Sequence, residues 1–118
     1  MRAPFQPDRD QLDLVTILAA LSDPTRLGIV ATLSEVGEVS CGYLGEGATK
    51  TALSYHYAKL REAGVTWTRI DGTQRFISLR RGDLEARFPG LLDSVVTNAH
   101  RDVALRTEAA PASGRGLR

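Results

Sequence analysis

A sequence pattern typical of a tight β-hairpin is the feature that most constrains the fold of this chain. Residues 65–70 and 73–79 are rich in β-branched and aromatic side chains, and the dipeptide Asp71-Gly72 separates them. Two such segments joined by Asp-Gly predict a β-hairpin with a type I′ turn. In this register Trp67 lies opposite Phe76 as an aromatic cross-strand pair.

Both faces of the predicted hairpin are apolar. Trp67 and Phe76 lie on one face, and Ile70 and Ile77 lie on the other. A half-buried strand normally alternates apolar and polar residues, so this pattern leaves open which face packs inward.

Helical segments precede the hairpin. From Arg9 to Leu21 the apolar residues recur at helical spacing. Asp23 and Pro24 begin a second helix as its N-cap and first residue, and Gly37 ends it. Ser40 to Leu44 predicts only a short third helix, because glycines interrupt and follow it.

The helix directly before the hairpin has the clearest boundaries. Residues 50–63 contain neither Gly nor Pro, Thr49 is a suitable N-cap, and Gly64 stops the helix. After the hairpin, Asp83 caps a single turn, and a last helix carries an apolar stripe that includes Ala99.

The order α-α-α-α-β-β-α predicts a mainly α (α+β) domain of the winged helix-turn-helix type. We place this domain at residues 9–106, with an irregular N-terminal arm at residues 1–8 and a disordered tail at residues 107–118.

Positive charge is concentrated in the middle of the chain, although the net charge of the whole is only +1. Residues 1–48 hold three arginines and seven acids, residues 49–81 hold seven basic residues and two acids, and residues 82–118 are balanced. A local basic patch attracts phosphates whatever the total charge.

The helix at residues 50–63 and the hairpin together resemble a recognition helix followed by a wing. The second helix of a helix-turn-helix enters the major groove, and a wing reaches the backbone or the minor groove. The predicted DNA contacts come from the outer face of the helix and from the wing: Thr49, Lys50, Thr51, Ser54, Tyr55, His56, Lys59, Arg69, Thr73, Gln74 and Arg75.

Several segments resemble the ArsR/SmtB family of repressors. The family's entry motif matches residues 20–27, its recognition helix and exit match residues 53–57 and 60–65, and its wing matches residues 69–72 and 77–79. The resemblance implies a homodimer, a palindromic operator, and release when an effector binds. The resemblance also implies that the protein represses transcription; the residues themselves do not distinguish repression from activation.

The resemblance places the dimer interface on the first and last helices. Their stripes hold more apolar surface than a monomer of this length needs to cover, and such patches usually mark an interface. The predicted interface residues are Leu14, Leu18, Leu92, Val95, Val96 and Val103.

The family's metal sites are not reproduced here. Its thiol site, Glu-Leu-Cys-x-Cys-Asp-Leu, aligns with residues 38–44, where Ser40 and Gly42 replace the two cysteines and Cys41 falls between them. One thiolate cannot hold a soft metal alone. The role of Cys41, as a core residue or a redox group, stays open.

The last helix carries the remaining candidates for a metal site. Asp93, His100 and Asp102 are weak candidates for nickel or zinc ligands, in a site built across a dimer. If metals are excluded, a small organic ligand or a redox signal remains as the effector.

The sequence lacks the signatures of other classes of protein. The sequence has no Gly-rich phosphate loop, no nucleophile elbow and no His-Glu-x-x-His motif, so we expect no enzyme. It has no apolar run of membrane length and no signal peptide, so we expect no membrane partner and a cytoplasmic location. The alternative function is a winged-helix module for protein–protein contact, and the basic segment favours DNA over it.

Overall fold

The computed structural model describes residues 4–41 and 50–109, and this part of the chain contains five α-helices and three strands. A single 3-10 turn, Arg9–Gln11, precedes them. In chain order they are α1 (Leu14–Leu21), α2 (Pro24–Val36), β1 (Val39–Ser40), α3 (Lys50–Ala63), β2 (Thr66–Asp71), β3 (Gln74–Leu79), α4 (Arg81–Arg87) and α5 (Leu91–Ala109). The mainly α class with a small antiparallel sheet is confirmed.

The first helix is shorter than predicted. Asp13 has extended backbone angles, and its carboxylate accepts a hydrogen bond from the Thr16 amide at 2.9 Å. This cap begins α1 and separates it from the preceding 3-10 turn, so the prediction of one helix from Arg9 to Leu21 was wrong over its first residues.

The boundaries predicted for the second helix are confirmed. The carboxylate of Asp23 accepts from the Arg26 amide at 3.0 Å, and Pro24 is the first helical residue. Gly37, with φ of +83°, donates to the carbonyl of Leu33 and ends the helix.

The segment predicted as a short third helix begins instead as a strand. Val39 lies opposite Ile77 and Ser40 lies opposite Phe76, so β1 extends the hairpin to a three-stranded sheet in the order β1-β3-β2. Pairing with β3 supplies partners for backbone groups that a helix broken by glycines would leave unpaired. Residues 42–44 of this segment lie outside the described residues, as does Thr49.

The hairpin turn differs from the predicted type. Asp71 pairs with Gln74, so the two-residue loop is Gly72-Thr73. Gly72 has φ of +65°, and no residue other than glycine has a positive φ in the described part of the chain. A positive φ at the first loop position alone is the pattern of a type II′ turn, so the type I′ prediction was wrong.

The new register also corrects the predicted aromatic pair. Trp67 lies opposite Ser78, and Phe76 lies opposite Arg69. Because the loop moved by one residue, the pairing shifted by two, which keeps the alternation of faces. The face with Ile77 is buried, whereas Trp67 on the other face is 44% exposed, and this settles which face packs inward.

Residues 4–8 of the N-terminal arm are irregular, and hydrogen bonds join Gln6 and Pro7 to the rest of the fold. The side-chain amide of Gln6 donates to the Thr68 carbonyl at 3.0 Å, and its oxygen accepts from the Thr68 amide at 2.7 Å. β2 is an edge strand, so Gln6 satisfies backbone groups that would otherwise be open to another strand. Buried Pro7 accepts a hydrogen bond from Arg80 through its carbonyl.

One core joins all the helices to the inner face of the sheet. Leu60 and Val65 are fully buried at the junction of α3 and β2, and Leu33, Leu84 and Leu92 bring α2, α4 and α5 to the same cluster. α5 continues to Ala109, three residues into the segment predicted as a tail. The rest of that segment, residues 110–118, lies outside the described residues.

No single helix in the described ranges is both long and apolar enough to cross a bilayer. α1 and α2 reach the required length and composition only as a pair bent by 99°.

Candidate nucleic-acid interface

The outer face of α3 presents the residues predicted to read DNA. Thr51, Ser54, Tyr55 and Lys59 are exposed, while Leu53 and Leu60 fix the opposite face of the helix in the core. This division follows the helical period of the sequence. Lys50 begins the helix.

Tyr55 is the most prominent side chain on this face. It is 56% exposed, and the Lys59 ammonium lies 5.4 Å from the centre of its ring. The two residues are one turn apart, so the cation stacks on the aromatic face along the helix. The pair places an aromatic hydroxyl and a positive charge side by side on the surface.

His56 belongs to the same helix but faces another way. Its side chain is only 16% exposed, and its ring contacts Arg26 and lies 3.8 Å from the Asp23 carboxylate. The structure therefore places this predicted DNA contact against the start of α2.

In the wing, Arg69 is held by an acid that sequence reasoning did not identify. Its Nε donates to Oε2 of Glu38 at 3.0 Å, and its Nη2 donates to Oε1 at 2.8 Å. The guanidinium also stacks on Phe76, 4.6 Å from the ring centre. This hydrogen bonding by Arg69 lowers the pKa of Glu38, and Glu38 in turn raises the pKa of Arg69.

The other predicted wing residues surround the turn. Thr73 and Gln74 are exposed at the tip, and Arg75 is half-buried opposite Ile70 on the inward-facing side of β3. Burial raises the pKa of the nearby Cys41 thiol, and the positive charge of Arg75 opposes part of that rise. The two predicted arginines of the wing therefore lie on opposite faces of the sheet.

Part of the basic middle segment is used within the fold. Arg61 donates to the carbonyl of Phe5 at 3.1 Å, and buried Arg80 donates to the carbonyl of Pro7 at 2.7 Å. Arg81 donates to a serine hydroxyl of α2 at 2.9 Å. The charge count of residues 49–81 therefore overstates the positive charge at the interface itself.

An apolar surface lies on α1. Leu14, Val15 and Leu18 are 41%, 74% and 46% exposed, in a helix that contains no charged residue. Val15 was not among the predicted interface residues, although its position beside Leu14 and Leu18 was visible in the sequence.

The interface residues predicted on α5 have a different environment. Leu92 and Val96 are buried in the core of the chain, and Val95 is half-buried against it. Val103 is helical, and its side chain is not described. The described outer face of α5 is polar, so the apolar surface left for a partner is mainly that of α1.

The predicted metal ligands do not gather within the described residues of the chain. Asp93 lies 3.7 Å from Arg81, and His100 is half-buried on the same helix. Among residues 4–41 and 50–109 there is no group of three or more His, Cys, Asp or Glu side chains that could hold a metal ion.

Cys41 carries a half-buried thiol directly after β1. Burial raises its pKa, and this outweighs the opposing effect of Arg75 and Arg61. The Tyr57 hydroxyl donates to the Cys41 carbonyl at 2.9 Å, and burial raises the pKa of Tyr57 to about 12.

Comparison with known proteins agrees with this architecture. No family model matches the chain. An uncharacterized HTH-type transcriptional regulator of Bacillus subtilis, YceK, is 45% identical over 82 residues, which cover 67% of this chain and 82% of that protein.

Solved structures of regulators share the fold. The transcriptional repressor BigR from Xylella fastidiosa is 36% identical, with a TM-score of 0.57, over 72% of this chain and 84% of that one. Reduced HlyU from Vibrio cholerae is 28% identical, with a TM-score of 0.59, over 75% of this chain and 85% of that one. A structure described as an ArsR family regulator shares the fold at 24% identity, with a TM-score of 0.58, over 69% of this chain and 90% of that one.

The exposed face of α3, the three-stranded wing sheet and the regulators that share them define a class: this is a winged helix-turn-helix transcriptional regulator, which binds DNA and is not an enzyme. Within that class the chain belongs to the ArsR-type family of regulators.

Proposed function

We propose that this protein is a homodimeric repressor that binds a palindromic operator in the cytoplasm and leaves it when an effector binds. The observation that carries the DNA contact is the exposed pair of Tyr55 and Lys59 on α3, next to the wing. The aromatic hydroxyl suits base edges, and the ammonium suits phosphates.

The outer face of α3 and the wing contribute differently to specificity and to affinity for DNA. Ser54 and Tyr55 discriminate between sequences through the major groove, while Lys59 and the wing arginines add affinity that does not depend on sequence. Lys50 begins α3, where helical amides and a positive side chain favour a phosphate.

The proposed dimer interface is centred on α1. Leu14, Val15 and Leu18 form an exposed apolar stripe on a helix without charges, and burying it against a second copy removes this surface from water. A two-fold dimer also presents two recognition helices roughly 34–36 Å apart, as an inverted repeat requires.

The effector belongs to one of two candidate classes, a borderline metal ion or an organic or redox signal. Because Cys41 stands alone and Ser40 lies in a strand, a thiolate site of the family's kind has no second sulfur ligand. A nickel or zinc site that includes Asp93, His100 and Asp102 would need a second protomer, and an organic or redox effector is the other candidate.

The test is selection of duplexes from a random library by the purified protein, followed by sequencing and fluorescence anisotropy. We expect enrichment of an inverted repeat that the wild type prefers over a shuffled duplex. Enrichment of no motif, with equal binding to both duplexes, would contradict sequence-specific regulation.

A further inference from the structure

The ring of His56 links the start of α2 to the DNA-reading residue of α3. Nη1 of Arg26 lies 3.1 Å from Nδ1 of His56, across 30 residues of sequence. On its other side the ring meets Tyr55 edge-on, with ring centres 5.5 Å apart and an interplanar angle of 68°. Arg26, His56 and Tyr55 therefore form a continuous row of contacts.

The direction of the first contact fixes the state of the ring. A guanidinium only donates hydrogen bonds, so Nδ1 of His56 accepts, and the neutral ring carries its proton on Nε2. A proton added to Nδ1 removes this acceptor and places a second positive charge beside Arg26.

Arg26 is itself firmly held. Its Nε donates to the Ala20 carbonyl at 2.6 Å, at the end of α1, and its amide donates to the Asp23 carboxylate at 3.0 Å. The first bond restrains the guanidinium, so that it has little freedom to follow a ring that moves, and the second fixes the backbone of Arg26 at the start of α2. The arginine therefore acts as a fixed reference for α3.

The charged groups around the ring come from few elements. The carboxylate of Asp23, the N-cap of α2, lies 3.8 Å from Nδ1. Among the described residues it is the one carboxylate close enough to accept a hydrogen bond from a protonated Nδ1. α1 contributes no titratable side chain, and Tyr55 and Lys59 lie along the same helix as the ring.

We propose that Arg26 and His56 are positioning residues for sequence recognition, and that protonation of His56 exchanges its partner from Arg26 to Asp23. In the neutral state the row of contacts holds Tyr55 in its reading orientation. In the protonated state the ring turns toward the carboxylate, and discrimination falls. The inference rests on the proposed DNA-binding function.

Two substitutions at His56 separate positioning from simple packing. Asn carries an oxygen near the place of Nδ1, so His56→Asn keeps the acceptor for Arg26 but cannot take up a proton. His56→Leu fills space but offers no acceptor. The measured quantity is the ratio of affinities for the best selected duplex and a shuffled duplex, between about pH 7.5 and pH 5.5, where histidine side chains titrate.

In the wild type we expect the affinity ratio to fall roughly tenfold on acidification. A change of this size is the effect of about one charge-assisted hydrogen bond. His56→Asn loses the ring contact with Tyr55 but cannot take up a proton, so its ratio should be the same at both pH values. His56→Leu should have a ratio lowered roughly tenfold at both, with affinity for the shuffled duplex changed less than about twofold.

Two results would overturn the inference: a His56→Leu protein with the wild-type ratio, or a His56→Asn protein with the wild-type loss on acidification. A wild type that binds no duplex at about pH 7.5 would instead contradict the proposed function. Nitrogen chemical shifts of the His56 ring give a readout independent of folding in the variants. They should show Nε2 protonated in the neutral ring, and a proton on Nδ1 would contradict the contact.

Discussion

The carboxylate of Glu38 binds the guanidinium of Arg69 through two hydrogen bonds, 2.8 and 3.0 Å long, between the start of β1 and the outer strand of the wing. Bidentate pairs of this kind are specific in geometry as well as in charge. A phosphate that approaches the wing therefore competes with an internal carboxylate for the same arginine. We therefore predict that Glu38 is a negative determinant of DNA affinity.

We predict that Glu38→Gln raises affinity for any duplex a few-fold, because it releases Arg69 for a phosphate. The salt dependence of binding should also steepen, by up to about one unit in the slope of log K against log salt. Anisotropy titrations at several salt concentrations measure both. Glu85→Gln is the matched control, since it changes the net charge equally on α4, and an identical gain there would show a general charge effect.

Tyr55 and Arg75 should give opposite patterns of loss. Tyr55→Ala should lower discrimination between a selected and a shuffled duplex by roughly tenfold, as expected for one base contact. Arg75→Ala should weaken binding to both duplexes by similar factors and make the salt slope shallower. An unchanged ratio in Tyr55→Ala would mean that α3 does not read bases through this face.

The α1 stripe should control assembly. We expect the wild type to sediment as a dimer at micromolar concentration and Val15→Asp to sediment as a monomer, because a charge in an apolar interface is costly to bury. Val36→Asp is the control, since Val36 is also an exposed apolar residue but lies at the end of α2. A monomeric wild type, or equal dissociation in both variants, would contradict the proposed interface.

Acid stability should depend on Asp83. A hydrogen bond from Arg9, with a second from Arg80, holds the pKa of this carboxyl below its usual value of 3.8. A pKa lowered in the folded state stabilises the fold fully above the unfolded value and loses that effect as the pH falls. Asp83→Asn should therefore lower the free energy of unfolding near neutral pH but flatten its decline below about pH 4. Asp10→Asn, at an exposed site, should leave the profile unchanged.

Release from DNA by metal ions should not depend on a thiolate site. We expect arsenite and cadmium to leave the DNA complex intact in both wild type and Cys41→Ser, because burial raises the pKa of the Cys41 thiol and no second cysteine is present. Release by nickel or zinc that disappears in His100→Ala would support a site on α5. Release by arsenite that disappears in Cys41→Ser would overturn this interpretation.

Local signals in the sequence predicted the parts of the fold that local chemistry determines. The cap at Asp23, the stop at Gly37 and the outer face of α3 follow from short-range hydrogen bonding and helical periodicity. The turn type was missed because Asp71-Gly72 and Gly72-Thr73 both place a glycine where φ is positive.

Contacts between distant residues could not be read in the same way. Ser40 is in a strand because β3 offers it a partner, and Trp67 lies on the outward face of the sheet, where Arg80 stacks on it 5.2 Å from its ring centre. The pairs that organise the interface, Glu38 with Arg69 and Arg26 with His56, join residues about 30 positions apart. No spacing rule links such positions in a sequence without the fold.

The most direct test of the account is the affinity of the wild-type protein for its best selected duplex and for a shuffled duplex, measured over a range of salt. We predict a steep linear fall of log K with log salt for both, about 0.9 for each phosphate neutralised. The selected duplex should be preferred by at least about a thousandfold. Binding without salt dependence, or without any preference between the two duplexes, would contradict a sequence-specific regulator and favour a winged-helix module for protein contact.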